Sequence, residues 1–228
     1  MVQHYFNLDP PPGFRGLHPD LPVKCYQRHL PHWRQDGATY FVTFRLIDSL
    51  PQEKLDFLKR IRTEWERTHP AHHNEADWTA LAREITTRAE GWLDEGYGVC
   101  HFRERKWADE LKERLFHFQE DRYLISCWAI MPNHCHLVIR PFDDEPLEDL
   151  VGAMKRHSAR RINRELSLNG AVWEQEFYDR IIRDEEHLWR VIQYIGRNPR
   201  KSGLQHEEPW RRWMHPEWIS AGWRFEEN

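Results

Sequence analysis

A chain of 228 residues is long enough for one domain with a sizeable core and attached helices, and short for two. Hydrophobic residues make up 39% and charged residues 31%, and no apolar run nears the roughly 18 residues a membrane span needs, which excludes a membrane partner. A formal net charge of −4 looks wrong for a nucleic-acid binder, but it averages over faces and leaves room for local basic patches.

Residues 1–32 are proline-rich and without sustained periodicity, so they are expected to form an irregular arm, with the ordered domain starting at Trp33. Tyr40, Val42, Phe44 and Leu46 alternate with Phe41, Thr43 and Arg45, the pattern of a strand with a buried face. Pro51 then opens a helix on Leu55, Leu58, Ile61 and Trp65 that Pro70 stops, and a second helix follows on Trp78, Leu81, Ile85, Ala89 and Trp92. After the break EGYGV at 95–99, a third helix buries Trp107, Leu111, Leu115 and Phe118. Two strands at 123–131 and 134–140 meet across Pro132 and Asn133, residues suited to a tight turn, and read as an antiparallel hairpin. A helix at 146–166 aligns Leu147, Leu150, Val151, Met154, Ser158 and Ile162. A short strand at 177–183 and a helix from Asp184 to about Arg197 complete the core. This order predicts an α+β fold: a ferredoxin-like antiparallel sheet covered by helices, with extra helices after the first strand and a C-terminal helix. The domain is expected over 33–205, with 206–228 as a tail.

Cys25, Cys100, Cys127 and Cys135 form no CxxC pair, which argues against a zinc knuckle or a disulfide scaffold and fits a reducing cytoplasm. The opening MVQHYFNLDPPPGF has no basic stretch followed by an apolar one, so it does not read as a signal peptide.

His134 and His136 lie two apart in a strand, so both imidazoles project from one face and make a two-ligand metal platform. Cys135, between them, points to the opposite face with Leu137 and Ile139. Such a pair is a weak sign alone, since a strand often carries one surface and one packed histidine. The metallo-β-lactamase and cupin continuations are absent, because Leu137, Val138, Ile139 and Arg140 follow. In the last helix Leu188, Val191, Ile192 and Ile195 form the apolar stripe, with Tyr194 and Asn198 four apart along its edge. Asp184 suits the N-cap, and Glu185 and Glu186 the positive end of the dipole. Periodicity alone makes Tyr194 a packing residue as readily as a reactive one.

MPNHCHLV at 131–138, WEQEFYDRIIRDEE at 173–186 and YIGRNP at 194–199 closely resemble the REP-associated tyrosine transposases, a branch of the single-tyrosine HUH transposases. LPHWRQDGATYFVTFRL at 30–46 resembles that family's first strand and its lead-in, so the resemblance runs in order from Leu30 to Leu204. It implies an enzyme that cuts and rejoins single-stranded DNA, with His134 and His136 as metal ligands, Tyr194 as the nucleophile and Asn198 as the third ligand. Cys135 replaces a bulkier apolar residue, a mild change for a buried position, and Glu174 stands where relatives often carry glutamine. The resemblance also implies Mg2+ or Mn2+, whereas imidazoles on general grounds suit zinc, nickel or copper.

For DNA contact, the helix at 146–166 turns Arg156, Arg160, Asn163 and Arg164 away from its stripe with Lys155 flanking them, and no acidic residue lies between Lys155 and Arg164. Arg197, Arg200 and Lys201 extend the basic field beside Tyr194. WRRW at 210–213 could stack unpaired bases or pack on the domain. His69, His72 and His73 surround Pro70 without an acidic or thiol partner and read as surface residues. The expected partner is single-stranded DNA of hairpin-forming repeats, met by a monomer or homodimer. Two alternatives stay open: a domesticated hairpin-binding protein, and a nuclease that uses water as its nucleophile.

Overall fold

The structure is a computed structural model that describes residues 8–27, 31–69, 75–142, 144–204 and 208–226. Its centre is a five-stranded antiparallel sheet. The strands, in chain order, are β3 (Tyr40–Arg45), β4 (Tyr123–Ile130), β5 (His134–Pro141), β6 (Tyr178–Ile181) and β7 (Arg212–Met214), preceded by the small hairpin β1 (Lys24–Gln27) and β2 (Pro31–Arg34). The spatial order β6-β3-β5-β4-β7 is that of a ferredoxin-like sheet with one strand added at the β4 edge.

Alternation along the strands separates two cores. Tyr40, Val42 and Phe44 of β3 with Cys135, Leu137 and Ile139 of β5 face one layer, covered by α3 (Arg105–Phe116) and α4 (Leu147–Leu166). A bulge between Ile125 and Cys127 resets the alternation of β4, so Ile125, Trp128 and Ile130 all join that layer. Phe41, Cys127, Ala129 and Val138 face the other layer, where α5 (Glu185–Lys201) lays down Leu188, Val191, Ile192 and Ile195. Leu111 and Ile192 are fully buried, and truncating either to alanine is expected to cost about 2–5 kcal/mol.

Between β3 and β4 the chain makes the helical hairpin α1 (Gln52–Thr68) and α2 (Glu75–Leu93). No residue of α1 is fully buried, and its Leu55 and Leu58 instead line a cavity of about 440 Å3 shared with Ile85, Ala89, Phe177 and Tyr178. Pro70, His72 and His73 lie outside the described residues, and His69 stacks on Trp65 at 4.7 Å.

Three expectations are corrected. The arm is not wholly irregular: β1 and β2 pair, and Thr39 N–H donates to Arg15 O at 2.8 Å, anchoring the arm to the start of β3. The tail is built into the domain, because β7 satisfies the open edge of β4 and α6 (Pro216–Ser220) follows it. There Trp218 and Trp223 are buried, and their indoles donate to Pro12 O at 2.8 Å and Asp9 O at 3.1 Å. A three-residue strand has no readable period, so the sequence concealed it. Last, α5 does not stop near Arg197 but runs through Pro199 to Lys201. Pro199 removes one hydrogen bond, and Ser202 N–H closes the last turn on Asn198 O at 3.2 Å.

Candidate active site

The register of β3 against β5 sets Thr43 opposite His136 and Arg45 opposite His134. Both imidazoles are buried and lie on the α5 side of the sheet, their Nε2 atoms 3.0 Å apart. Asn133 accounts for one of them. Its amide nitrogen donates to Tyr97 O at 3.0 Å and to Leu93 O at 3.4 Å, which turns its oxygen to His134 Nδ1 at 2.8 Å. An acceptor there fixes the proton on Nδ1 and leaves the Nε2 lone pair aimed into the site. His136 Nδ1 lies 2.7 Å from Thr43 Oγ1, a hydroxyl that can donate or accept and so permits either tautomer. Burial pushes His134 down to about 3 and His136 well below the ordinary histidine value, the latter helped by His134 and Lys201. Both rings are neutral at pH 7, the form that coordinates metals.

Tyr194 reaches the same place from α5. Asp184 caps that helix by accepting from His187 N–H at 2.7 Å, worth about 1 kcal/mol. The apolar stripe then seats the helix, and Tyr194 at its edge lies edge-on to His136 and to Phe41, with ring centroids 5.2 and 5.8 Å away. Burial pushes its hydroxyl well above the ordinary tyrosine range, and the Glu90 carboxylate adds to this while Asn198 opposes it. Two turns on, Lys201 Nζ stands 5.5 Å from the centre of the Tyr194 ring. Asn198 donates to Tyr194 O at 3.2 Å, and its own side-chain oxygen is buried without a hydrogen-bond partner.

A divalent cation fits these donors. A buried carbonyl oxygen with no partner costs on the order of 1–3 kcal/mol, and the Asn198 oxygen is in that state one helical turn from Tyr194. The two Nε2 atoms face each other across 3.0 Å, a spacing two lone pairs tolerate only with a proton or a cation between them. Among the described residues no group of three or more His, Cys, Asp or Glu side chains could hold a metal ion, so the candidate donors here are the two imidazoles and the Asn198 amide oxygen.

The basic residues divide. Lys201 is at the site, and Arg200 is exposed next to it. Arg197 turns to Glu226 at 3.6 Å. Arg156, Arg160 and Arg164 are exposed on α4, across the sheet from Tyr194. Lys155 does not flank them in solvent: it is buried and donates to Gln175 O at 2.8 Å, its charge near the Phe177 ring. Asn163 ties off the end of α4 by donating to Gly170 O at 2.8 Å. In the WRRW stretch Arg211 is buried against the carbonyls of Phe102 and Ile130 at 3.0 and 3.4 Å, and Trp213 packs on Phe116. These residues pack on the domain.

Four residues near the site were assigned no part in it from the sequence. Asn133 and Thr43 orient the imidazoles, Glu174 holds Arg45 at 2.9 Å, and Glu90 of α2 carries a charge that acts on the Tyr194 hydroxyl. Burial, followed by Asp94, raises the Glu90 carboxyl to about 7, opposed by Tyr194, Lys201 and Arg180. Strand alternation and register could have found Thr43. Nothing local points to Glu90, whose contact is 104 positions along the chain.

Comparison with known proteins adds an independent line. Residues 100–198 match the IS200-like transposase family model, a span that opens just after α2 and ends at Asn198. A Haemophilus influenzae protein named as a REP-associated tyrosine transposase is 27% identical over 85 residues, covering 33% of this chain and 48% of that one. The chain thus matches about half the length of that curated relative. A solved REP-associated tyrosine transposase bound to a REP hairpin aligns over 79% of this chain and 74% of its own, with 15% identity and a TM-score of 0.38. A transposase structure from Deinococcus radiodurans aligns over 70% and 89%, with 17% identity and a TM-score of 0.28. Among the described residues no helix is long and apolar enough to cross a membrane.

Proposed function

Because residues 100–198 match the IS200-like transposase family model, we propose that the protein cuts and rejoins single-stranded DNA of hairpin-forming repeats through a 5′-phosphotyrosine link on Tyr194. The observation that carries this reading is the meeting, on one face of one sheet, of a neutral imidazole pair and a tyrosine whose ring centre is 5.2 Å from His136. The match to a protein named as a REP-associated tyrosine transposase, 27% identical over 85 residues, supports the choice of substrate.

A tyrosine hydroxyl is a poor nucleophile at neutral pH and needs charge drawn from its target. His134, His136 and Asn198 would hold Mg2+ or Mn2+, which when bound supplies that electrostatic pull at the scissile phosphoryl group. Asn133 and Thr43 keep the imidazoles oriented. Phe41 and His136 confine the Tyr194 ring, so its oxygen approaches along one direction. Lys201 places a positive charge over the ring, where it can meet the phosphate beside the break. The Tyr194 oxygen attacks phosphorus, the bond to the 3′-oxygen breaks, and a 3′-hydroxyl departs. A second 3′-hydroxyl reverses the step without ATP.

The test is a denaturing gel with a 3′-labelled oligonucleotide bearing a stem-loop and randomised single-stranded flanks. Label moving with the protein, in a metal-dependent manner and only when Tyr194 is present, is the expected result. Cleavage without any covalent species would assign the attack to water.

A further inference from the structure

Resting on the reading of Tyr194 as the nucleophile, we propose that Glu90 of α2 is a catalytic residue: it takes the Tyr194 hydroxyl proton during cleavage and returns it during rejoining. The residue lies outside the span matched by the transposase family, on a helical hairpin inserted before it.

Three ties hold the end of α2 against the site. Asn133, the residue that orients His134, donates to the carbonyls of Leu93 and Tyr97. Ser202, just past α5, donates to Asp94 Oδ1 at 3.4 Å. Between these ties Glu90, four residues before Asp94 and so on the same side of α2, lines the cavity that Thr43, the partner of His136, also lines, and its charge acts on the Tyr194 hydroxyl. Among the charged groups that act on the Tyr194 hydroxyl Glu90 comes first, and a carboxylate, unlike the Asn198 amide, can take up its proton.

The surroundings suit the task. Asp94 just past α2, Lys201 of α5 and Arg180 of β6 are the charged groups that act on Glu90. Arg45, Lys59, Arg62, Glu174 and Glu176 line the same cavity, and among them Arg45 pairs with Glu174, Lys59 with Asp56 and Arg62 with Glu66. A carboxyl raised to about 7 by burial is divided between its two forms at neutral pH, as a group serving both directions must be. In cleavage the proton passes from Tyr194 to the Glu90 carboxylate while the phenolic oxygen bonds to phosphorus. The departing 3′-oxygen keeps the electron pair of the broken bond and takes a proton from water. In rejoining the incoming 3′-hydroxyl gives its proton to water, its oxygen bonds to phosphorus, and the Tyr194 oxygen leaves with the electron pair to be reprotonated by the Glu90 carboxylic acid. Cleavage therefore needs the carboxylate and rises with pH through about 7, and rejoining needs the acid and falls over the same range.

Glu90→Gln keeps an acceptor for the tyrosine hydroxyl but takes no proton. With the 3′-labelled stem-loop pool, adduct formation is expected to fall on the order of 100-fold and to lose its rise with pH, with hairpin binding and melting temperature unchanged. In Glu90→Ala, added formate, entering by the cavity, is expected to restore part of the rate. A Gln variant that cleaves close to the parent rate overturns the role of Glu90 and leaves Tyr194 standing. So does a slow Gln variant that keeps the parent's pH profile with no formate rescue in the Ala variant, which makes Glu90 a structural clamp. A parent that forms no adduct on any oligonucleotide overturns the Tyr194 reading and this proposal together.

Discussion

The two faces of the central sheet are made by the same strands and behave oppositely. Toward α3 and α4, Tyr40, Val42, Phe44, Cys135, Leu137 and Ile139 interlock in an apolar core, and Arg156, Arg160 and Arg164 of α4 point away from it while Lys155 is buried at its edge beside Phe177. Toward α5 and α2, the neighbours of those residues are Phe41, Thr43, His134 and His136, so polar groups are buried and each needs a partner. One face contributes stability through area removed from water. The other gives up part of that gain to hold neutral imidazoles and a tyrosine in fixed orientations, the usual exchange at a reactive site.

The sharpest way to break this comparison is Tyr194→Phe, which deletes one oxygen from the polar face and keeps the ring against Phe41 and His136. Adduct formation is expected to vanish while hairpin binding and melting temperature stay at parent values. Retained cleavage, with Tyr178 the next tyrosine toward the same face, would assign the attack elsewhere. Next in size is His136→Ala, expected to stop cleavage at low metal and to recover in part with excess Mn2+, which no metal can do for the missing hydroxyl. Asn133→Ala acts one step further out: it frees His134 to rotate and strips partners from Leu93 O and Tyr97 O. A 10–100-fold loss of metal affinity is the expected outcome in a calorimetric titration, and unchanged affinity would make the Asn133 contact incidental.

What was legible in the sequence follows the same division. Alternation around Cys135 placed His134 and His136 on one face, the helical stripe of α5 placed Tyr194 and Asn198 on one edge, and Asp184 marked its cap, because each depends on spacing within one element. Asn133 was readable only as a turn residue, since its partners are 36 and 40 positions away on and after α2. Glu90 resembled any solvated helix charge until α2 was seen against α5. Lys155 was misplaced because a long carbon stem lets a cation sit at the edge of an apolar stripe and reach a buried carbonyl, here that of Gln175.

A smaller effect concerns acid stability. Burial holds His134 down to about 3 and His187 to about 4, and the unfolded chain takes up their protons near pH 6.5. The folded state binds fewer protons below that pH, so stability present at pH 7 is lost as pH falls toward 4. With 1 kcal/mol worth about 2–4 °C in a chain of this size, the melting temperature should drop on the order of 10 °C between pH 7 and 5. His187→Gln, which cannot protonate, should flatten that decline, and an equal decline in the variant would move its source to other groups.

The smallest effect tests whether the α4 face meets DNA at all. Arg156, Arg160 and Arg164 are exposed, but the sheet and its packed helices stand between them and Tyr194, so they cannot contact the phosphate under attack. They can contact only a part of the DNA that passes round the domain, as the stem of a hairpin could while its flanking strand lies at Tyr194. Each Arg→Ala change is then expected to weaken binding similarly for different sequences and to flatten the slope of log affinity against log salt by about 0.7–0.9, with the rate of adduct formation at saturating DNA unchanged. If all three variants keep the parent slope, α4 is an ordinary solvated surface and the DNA path is confined to the face of α5 and α2, where Lys201 and Arg200 supply the cations.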